Sequence, residues 1–111
     1  MTGCVQVSTT VDSAAVAEQI AATLVEERLA ACVQIIGPLT SVYRWDGAVT
    51  RATEWLCTAK TTEPVLATVM ARIRALHSYQ QPEIIATTIS AIDPGYLSWL
   101  QQETTFAPER P

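Results

Sequence analysis

The strongest constraint on the fold of this chain is a predicted β-hairpin near its centre. Residues 40–45 have the pattern of a strand, Asp46-Gly47 follows, and residues 48–61 have the pattern of a returning strand, most clearly from Glu54 onward. An Asp-Gly pair between two strand-like runs is typical of a two-residue turn, because both turn positions need a positive φ. The hairpin is longer than so small a sheet requires, so we expect its tip to extend beyond the core.

Strand and helix patterns alternate on both sides of this hairpin. The other predicted elements are a strand, a helix, a strand that reaches the hairpin through a bend at Gly37-Pro38, a second helix, a fourth strand and a final short helix, at residues 4–9, 13–29, 31–36, 62–79, 83–89 and from Asp93 onward. This order predicts an α+β fold, a ferredoxin-like split βαβ sandwich with a long β-hairpin and a C-terminal helix, whose helices cover one sheet face. We expect a single domain over residues 1–111 with a mobile tail at about 105–111.

Charged residues are scarce for a chain of this size. They make up 16% of the 111 residues, against roughly 25% in an average soluble domain. Tyr43, Trp45 and Trp55 lie on the hairpin, and an exposed apolar hairpin would aggregate unless it were paired. We therefore predict an obligate homo-oligomer with these three aromatic side chains at the interface between subunits.

The charge balance and the N-terminus argue against several classes of function. The chain has 7 Lys and Arg against 11 Asp and Glu, a net charge of −4, which disfavours binding to nucleic acid phosphates. No apolar stretch approaches the roughly 18 residues of a membrane-spanning helix. Met1-Thr2-Gly3-Cys4 does not begin a signal peptide pattern. We expect a cytoplasmic protein with no nucleic acid and no membrane among its partners.

The three cysteines, Cys4, Cys32 and Cys57, are odd in number, far apart and without a CxxC pair. They are therefore predicted to be reduced thiols that pack in the core. A Cu(I) ion can use a thiolate together with an imidazole, and His77 is the only histidine. The alternative for His77 is a structural role at a helix C-terminus, where an imidazolium suits the helix dipole.

Lys60, Tyr79 and Glu83 form a second candidate site at strand ends that can approach each other or a subunit boundary. A lysine beside a carboxylate and a phenol can bind an anion or transfer protons, and the alternative is an ordinary ion pair. The glycines form no phosphate-binding loop. That absence, together with the lack of any asparagine, argues against an acylphosphatase-like hydrolase.

Several motifs occur in an order that one protein family shares. Residues 24–33, LVEERLAACV, form a helix-to-strand segment, and residues 41–47, SVYRWDG, form the hairpin. Further motifs follow at Glu54, Lys60-Thr61-Thr62, residues 77–84 (HSYQQPEI) and residues 96–100 (YLSWL). Together they cover roughly residues 4 to 104, and they resemble the CutA proteins, the divalent-cation tolerance family.

The resemblance implies a homotrimer assembled by strands of the long hairpin that pair between subunits, with clefts between the subunits as in the PII signalling trimers. It implies no enzymatic reaction and no required cofactor, and it links bacterial members to tolerance of copper and other divalent cations. Some members bind copper through three suggested ligands. Ser8 and Leu76 occupy two of those positions here, so only His77 is left as a metal ligand.

We therefore expect a trimeric divalent-cation tolerance protein that binds copper or another divalent metal ion weakly, at or near His77. The alternative is a PII-like trimeric sensor of a small anionic metabolite, with Lys60, Tyr79 and Glu83 lining the subunit cleft. The expected partners are thus sister subunits together with metal ions or small anions.

Overall fold

A four-stranded antiparallel sheet with helices packed on it forms the fold of the computed structural model, which describes residues 1–104. The elements are β1 (Cys4–Val11), α1 (Ala14–Glu26), β2 (Cys32–Trp45), β3 (Ala48–Thr62), α2 (Leu66–Leu76), β4 (Ile84–Thr88) and α3 (Pro94–Glu103). The strand order in the sheet is β2-β3-β1-β4. The predicted split βαβ sandwich is confirmed, and the predicted mobile tail, 105–111, lies outside the described residues.

Helix α1 begins where the sequence predicts and ends slightly earlier. The hydroxyl of Ser13 accepts a hydrogen bond from the Val16 N–H at 3.1 Å, which satisfies one of the free donors of the first turn. The predicted end near Arg28-Leu29 is two to three residues too late, since α1 ends at Glu26. Arg28 adopts a positive φ of 60°, and the N–H of Leu29 donates to the Leu24 carbonyl at 2.9 Å, which closes the helix.

Helices α1 and α2 cover one face of the sheet, as predicted. The main core is formed by buried residues of both helices and of the inward side of β1 and β3, including Val7, Val11, Ile20, Leu24, Cys57, Val69 and Ile73. A smaller cluster joins Leu100 of α3 to Cys4 and Ala31. The prediction of buried thiols is therefore confirmed for Cys4 and Cys57, whereas Cys32 is only partly buried.

Strands β2 and β3 form the predicted long hairpin. Asp46 and Gly47 have φ values of 52° and 81°, as a two-residue turn requires. Pairing of β3 with β1 ends at Trp55 opposite Val11, so residues 39–54, here called the hairpin arm, extend beyond the rest of the sheet.

The bend predicted at Gly37-Pro38 is a β-bulge. The pairing register between β2 and β3 shifts between Ile36 and Leu39, and the indole of Trp55 lies against the Gly37 backbone. Within residues 1–104, no helix is both long and apolar enough to cross a membrane.

Candidate functional site

A groove of about 1010 Å³ lies between the hairpin arm and residues 77–83, here called the 77–83 segment. We call it the arm groove. Its lining includes Ser41, Tyr43, Trp45 and Glu54 from the arm, and Tyr79 and Glu83 from the segment. Its volume is at the upper end of the roughly 300–1,000 Å³ of small-molecule sites. Among the described residues that line it, none is a lysine or an arginine.

Glu54 is the most buried acidic residue of the groove. Its residue exposure is 5%, and its Oε2 accepts a hydrogen bond from the Tyr79 hydroxyl at 2.7 Å. Burial raises the pKa of Tyr79, and the hydrogen bond to Glu54 raises it further, so the phenol stays protonated and donates. The salt bridges within residues 1–104 are Arg28–Glu103 and Arg72–Glu27, so no basic side chain of this described part neutralises Glu54.

The other acidic residue of the groove lining, Glu83, is exposed. It adds a second carboxylate beside hydroxyl and amide side chains. Oxygen donors of this kind suit hard divalent cations. The charge of the groove therefore favours a cation over an anion.

His77 follows directly after α2 and links the 77–83 segment to β1. Its Nε2 lies 3.0 Å from the Thr10 carbonyl and 3.0 Å from the Thr9 hydroxyl. Its Nδ1 accepts a hydrogen bond from the Tyr79 backbone N–H at 3.1 Å. Burial lowers the pKa of His77, although the hydrogen bond to Thr10 acts in the opposite direction. The imidazole is therefore neutral near pH 7, and both of its nitrogens are engaged.

Two further contacts fix the 77–83 segment. The Ser78 hydroxyl donates to a carboxylate oxygen of Asp12 at 2.9 Å, and the Arg74 guanidinium donates to the Gln80 carbonyl at 3.3 Å. These bonds join the segment to the residue after β1 and to the last turn of α2. The position of Tyr79 in the groove is thus set by several hydrogen bonds.

The predicted cleft residues are brought together only in part. Tyr79 and Glu83 line the same groove, whereas Lys60 lies in β3 and donates to the side-chain oxygen of Gln34. Six residues of strand separate Lys60 from Glu54, roughly 20 Å at 3.3–3.4 Å per residue. Within one subunit Lys60 is therefore not part of the arm groove.

The three predicted interface residues have different environments within the subunit. Tyr43 and Trp45 are exposed on the hairpin arm, with exposures of 40% and 62%. Trp55 instead packs against the main core. The interface between subunits stays a prediction for all three.

The positions that the resemblance links to copper do not converge around His77. Ser8 is next to Thr9 in β1, and neighbouring strand residues point to opposite faces, so Ser8 lies on the face away from the imidazole. Leu76 packs against the main core. Across residues 1–104, no group of three His, Cys, Asp or Glu side chains could hold a metal ion.

The buried cysteines do not fit a metal site either. Burial raises the pKa of Cys57 to about 11, and burial also raises the pKa of Cys4. Metals bind the thiolate rather than the thiol, so these two side chains are poor ligands at neutral pH. A soft Cu(I) site built on these two thiols is therefore not supported.

Sequence reasoning did not identify Glu54 as a site residue. Its available signal was a carboxylate in the middle of a long strand, although that pattern is equally typical of an exposed strand position. Glu54 is hydrogen-bonded to Tyr79, which is 25 residues away in the chain. A hydrogen bond between residues so far apart in the chain depends on the tertiary fold and cannot be predicted from a local sequence pattern.

Comparisons with known proteins agree with the fold and the motifs. The family model described as CutA1 divalent ion tolerance protein matches residues 5–103. The divalent-cation tolerance protein CutA of Thermus thermophilus is 48% identical over 95 residues, which are 86% of this chain and 92% of that protein. Protein CutA of Mus musculus is 38% identical over 89 residues, which are 80% of this chain and 50% of the mouse protein.

Solved structures give the same result. The divalent cation tolerance protein Cut A1 from Thermus thermophilus superposes with a TM-score of 0.89 at 46% identity, covering 92% of this chain and 99% of that one. CutA1 from Oryza sativa superposes with a TM-score of 0.91 at 34% identity, covering 96% of this chain and 100% of that one. With these matches over nearly its whole length, the chain belongs to the CutA family of divalent-cation tolerance proteins.

Proposed function

We propose that this CutA protein contributes to divalent-cation tolerance as a homotrimer that binds copper or other divalent ions weakly in the arm groove. The observation that carries the proposal is Glu54, a carboxylate with 5% exposure in a groove to which residues 1–104 contribute no basic side chain. A buried charge is costly unless an opposite charge or hydrogen bonds compensate it. The Tyr79 hydroxyl supplies one hydrogen bond, and a bound cation supplies the opposite charge.

The ligand set of the groove explains why the affinity is weak. Glu54 and Glu83 provide two carboxylates, whereas a dedicated calcium site provides six to eight oxygen ligands. Oxygen donors suit Mn²⁺, and Cu²⁺ binds most sites more tightly than the other divalent first-row ions. We therefore expect Cu²⁺ to bind more tightly than Mn²⁺ at the same groove.

The homotrimer is part of the proposal because the hairpin arm leaves large apolar side chains in water. Val42, Tyr43, Trp45 and Val49 are each at least 40% exposed. Strand pairing between the arms of sister subunits would cover them. We further propose a cytoplasmic location and a role without catalysis, nucleic acid or membrane contact.

The alternative of a sensor for an anionic metabolite has less support. It requires a basic side chain in the groove, and Lys60 lies elsewhere in the same subunit, bonded to Gln34. Two glutamates in the groove would repel an anion. A cation is therefore the better match to the groove of a single subunit.

Isothermal titration calorimetry with Cu²⁺ and Mn²⁺ tests the proposal. Glu54→Gln keeps an oxygen that accepts from Tyr79 but removes the negative charge, and Glu83→Gln removes the second charge. We expect each variant to weaken binding at least about tenfold, since even the loss of an outer-shell partner of a metal ligand typically costs about 10- to 100-fold in affinity. Glu18→Gln, on the exposed surface of α1, is the matched control and should bind as the wild type does. Equal isotherms for Glu54→Gln and Glu18→Gln would contradict the proposal.

A further inference from the structure

His77 lies next to the arm groove, and both of its ring nitrogens take part in hydrogen bonds. The N–H of Tyr79 donates to Nδ1 at 3.1 Å, so the lone pair of Nδ1 is already used. The Thr10 carbonyl, 3.0 Å from Nε2, can only accept, so Nε2 carries the proton. In this tautomer the neutral imidazole has no free lone pair for a metal ion.

These hydrogen bonds hold the Tyr79 side chain in the arm groove. The bond from Tyr79 to Nδ1 of His77 spans two residues, as in the turns that Asn and Asp side chains form with the backbone. The two rings lie 5.0 Å apart. From the backbone held in this way, the Tyr79 hydroxyl reaches Glu54 at 2.7 Å.

We propose that His77 is a positioning residue of the arm groove and not a metal ligand. It ties the start of the 77–83 segment to Thr10 in β1 and holds the Tyr79 backbone, so that the phenol is aimed at Glu54. The consequence for metal binding rests on the proposed function of the groove, whereas the hydrogen-bonding role of the imidazole does not.

Two substitutions separate positioning from ligation. His77→Asn places an amide oxygen near the position of Nδ1, where it can still accept from the Tyr79 N–H. His77→Gln places an amide N–H near the position of Nε2, where it can still donate to Thr10, but it loses the acceptor for Tyr79. Neither amide replaces an imidazole as a ligand for Cu²⁺ or Zn²⁺.

If His77 positions Tyr79, the two variants should differ in their affinity for Mn²⁺ and Cu²⁺. We expect His77→Asn to bind within about twofold of the wild type and His77→Gln to bind about two- to tenfold more weakly, the effect of one lost hydrogen bond. Circular dichroism serves as the control for folding, and we expect both variants to give the wild-type spectrum. An equal loss of affinity in both variants would overturn the proposal.

The ¹⁵N spectrum of the His77 ring provides a second test that needs no metal. As the only imidazole of the chain, it can be assigned directly. We expect the neutral tautomer with the proton on Nε2, and ring shifts that stay unchanged when Zn²⁺ is added. A proton on Nδ1, or a ring shift that moves with Zn²⁺, would overturn the proposal. If the wild type bound no metal at all, the proposed function would fail, and this spectrum would still decide the role of His77.

Discussion

The bulge at the base of the hairpin arm predicts a large effect for a very small substitution, Gly37→Ala. A Cβ atom on Gly37 would lie 2.7 Å from Cγ and 2.9 Å from Nε1 of Trp55, and closer still to Cδ1. These are aromatic ring atoms of a side chain that packs against the main core, so the clash cannot be relieved by rotating a flexible chain end. Forcing extra volume into a packed core costs about 1–3 kcal/mol.

This cost is measurable by thermal unfolding. For a domain near 100 residues, about 1 kcal/mol lowers Tm by roughly 4–8 °C, so Gly37→Ala should lower Tm by several degrees to more than ten. The samples must have equal concentrations, because the stability of an oligomer depends on concentration.

A double-mutant cycle with Trp55→Ala isolates the clash. In the Trp55→Ala background the added methyl group no longer meets the indole, and an alanine at this position should be neutral or slightly stabilising, since it restricts the unfolded chain. If Gly37→Ala costs the same free energy with and without the indole, the packing explanation is wrong.

Three further predictions each concern a single side chain. Burial lowers the pKa of His77 below 6.5, so the unfolded chain binds a proton more readily than the folded chain does. The free energy of unfolding should therefore fall as the pH drops below about 6.5. When urea unfolding is measured over a series of pH values, this dependence on pH should be weaker for His77→Gln than for the wild type. Ser13→Ala removes the acceptor for the Val16 N–H and should cost about 1 kcal/mol in urea unfolding, and an unchanged midpoint would contradict the capping role. Trp45→Ser removes an exposed apolar side chain of the hairpin arm and should weaken the proposed trimer, seen by sedimentation as dissociation at a higher concentration than for the wild type.

The sequence predicted those features that depend on neighbouring residues. The turn at Asp46-Gly47 and the bend at Gly37-Pro38 each follow from a local pattern, and the structure confirms them. The order of the strand and helix patterns was sufficient for the split βαβ topology. The end of α1 was less accurate, because the left-handed conformation of Arg28 has no glycine to mark it.

The candidate site was less predictable because its contacts join distant parts of the chain. The ring of His77 lies against Thr9 and Thr10, which are 68 and 67 residues away. The hydrogen bond of Glu54 to Tyr79 joins residues 25 positions apart. No periodicity or spacing in the sequence encodes these contacts, so the prediction of His77 as a metal ligand depended on its residue type and on the family resemblance.

Cation binding through carboxylate oxygens of the arm groove is most directly tested by anomalous scattering from crystals of the wild type soaked in Mn²⁺. We predict a peak within coordination distance of the carboxylate oxygens of Glu54 and Glu83, with none at the ring of His77. A peak on either nitrogen of that imidazole, or a groove without anomalous density at saturating Mn²⁺, would contradict cation binding through these carboxylates.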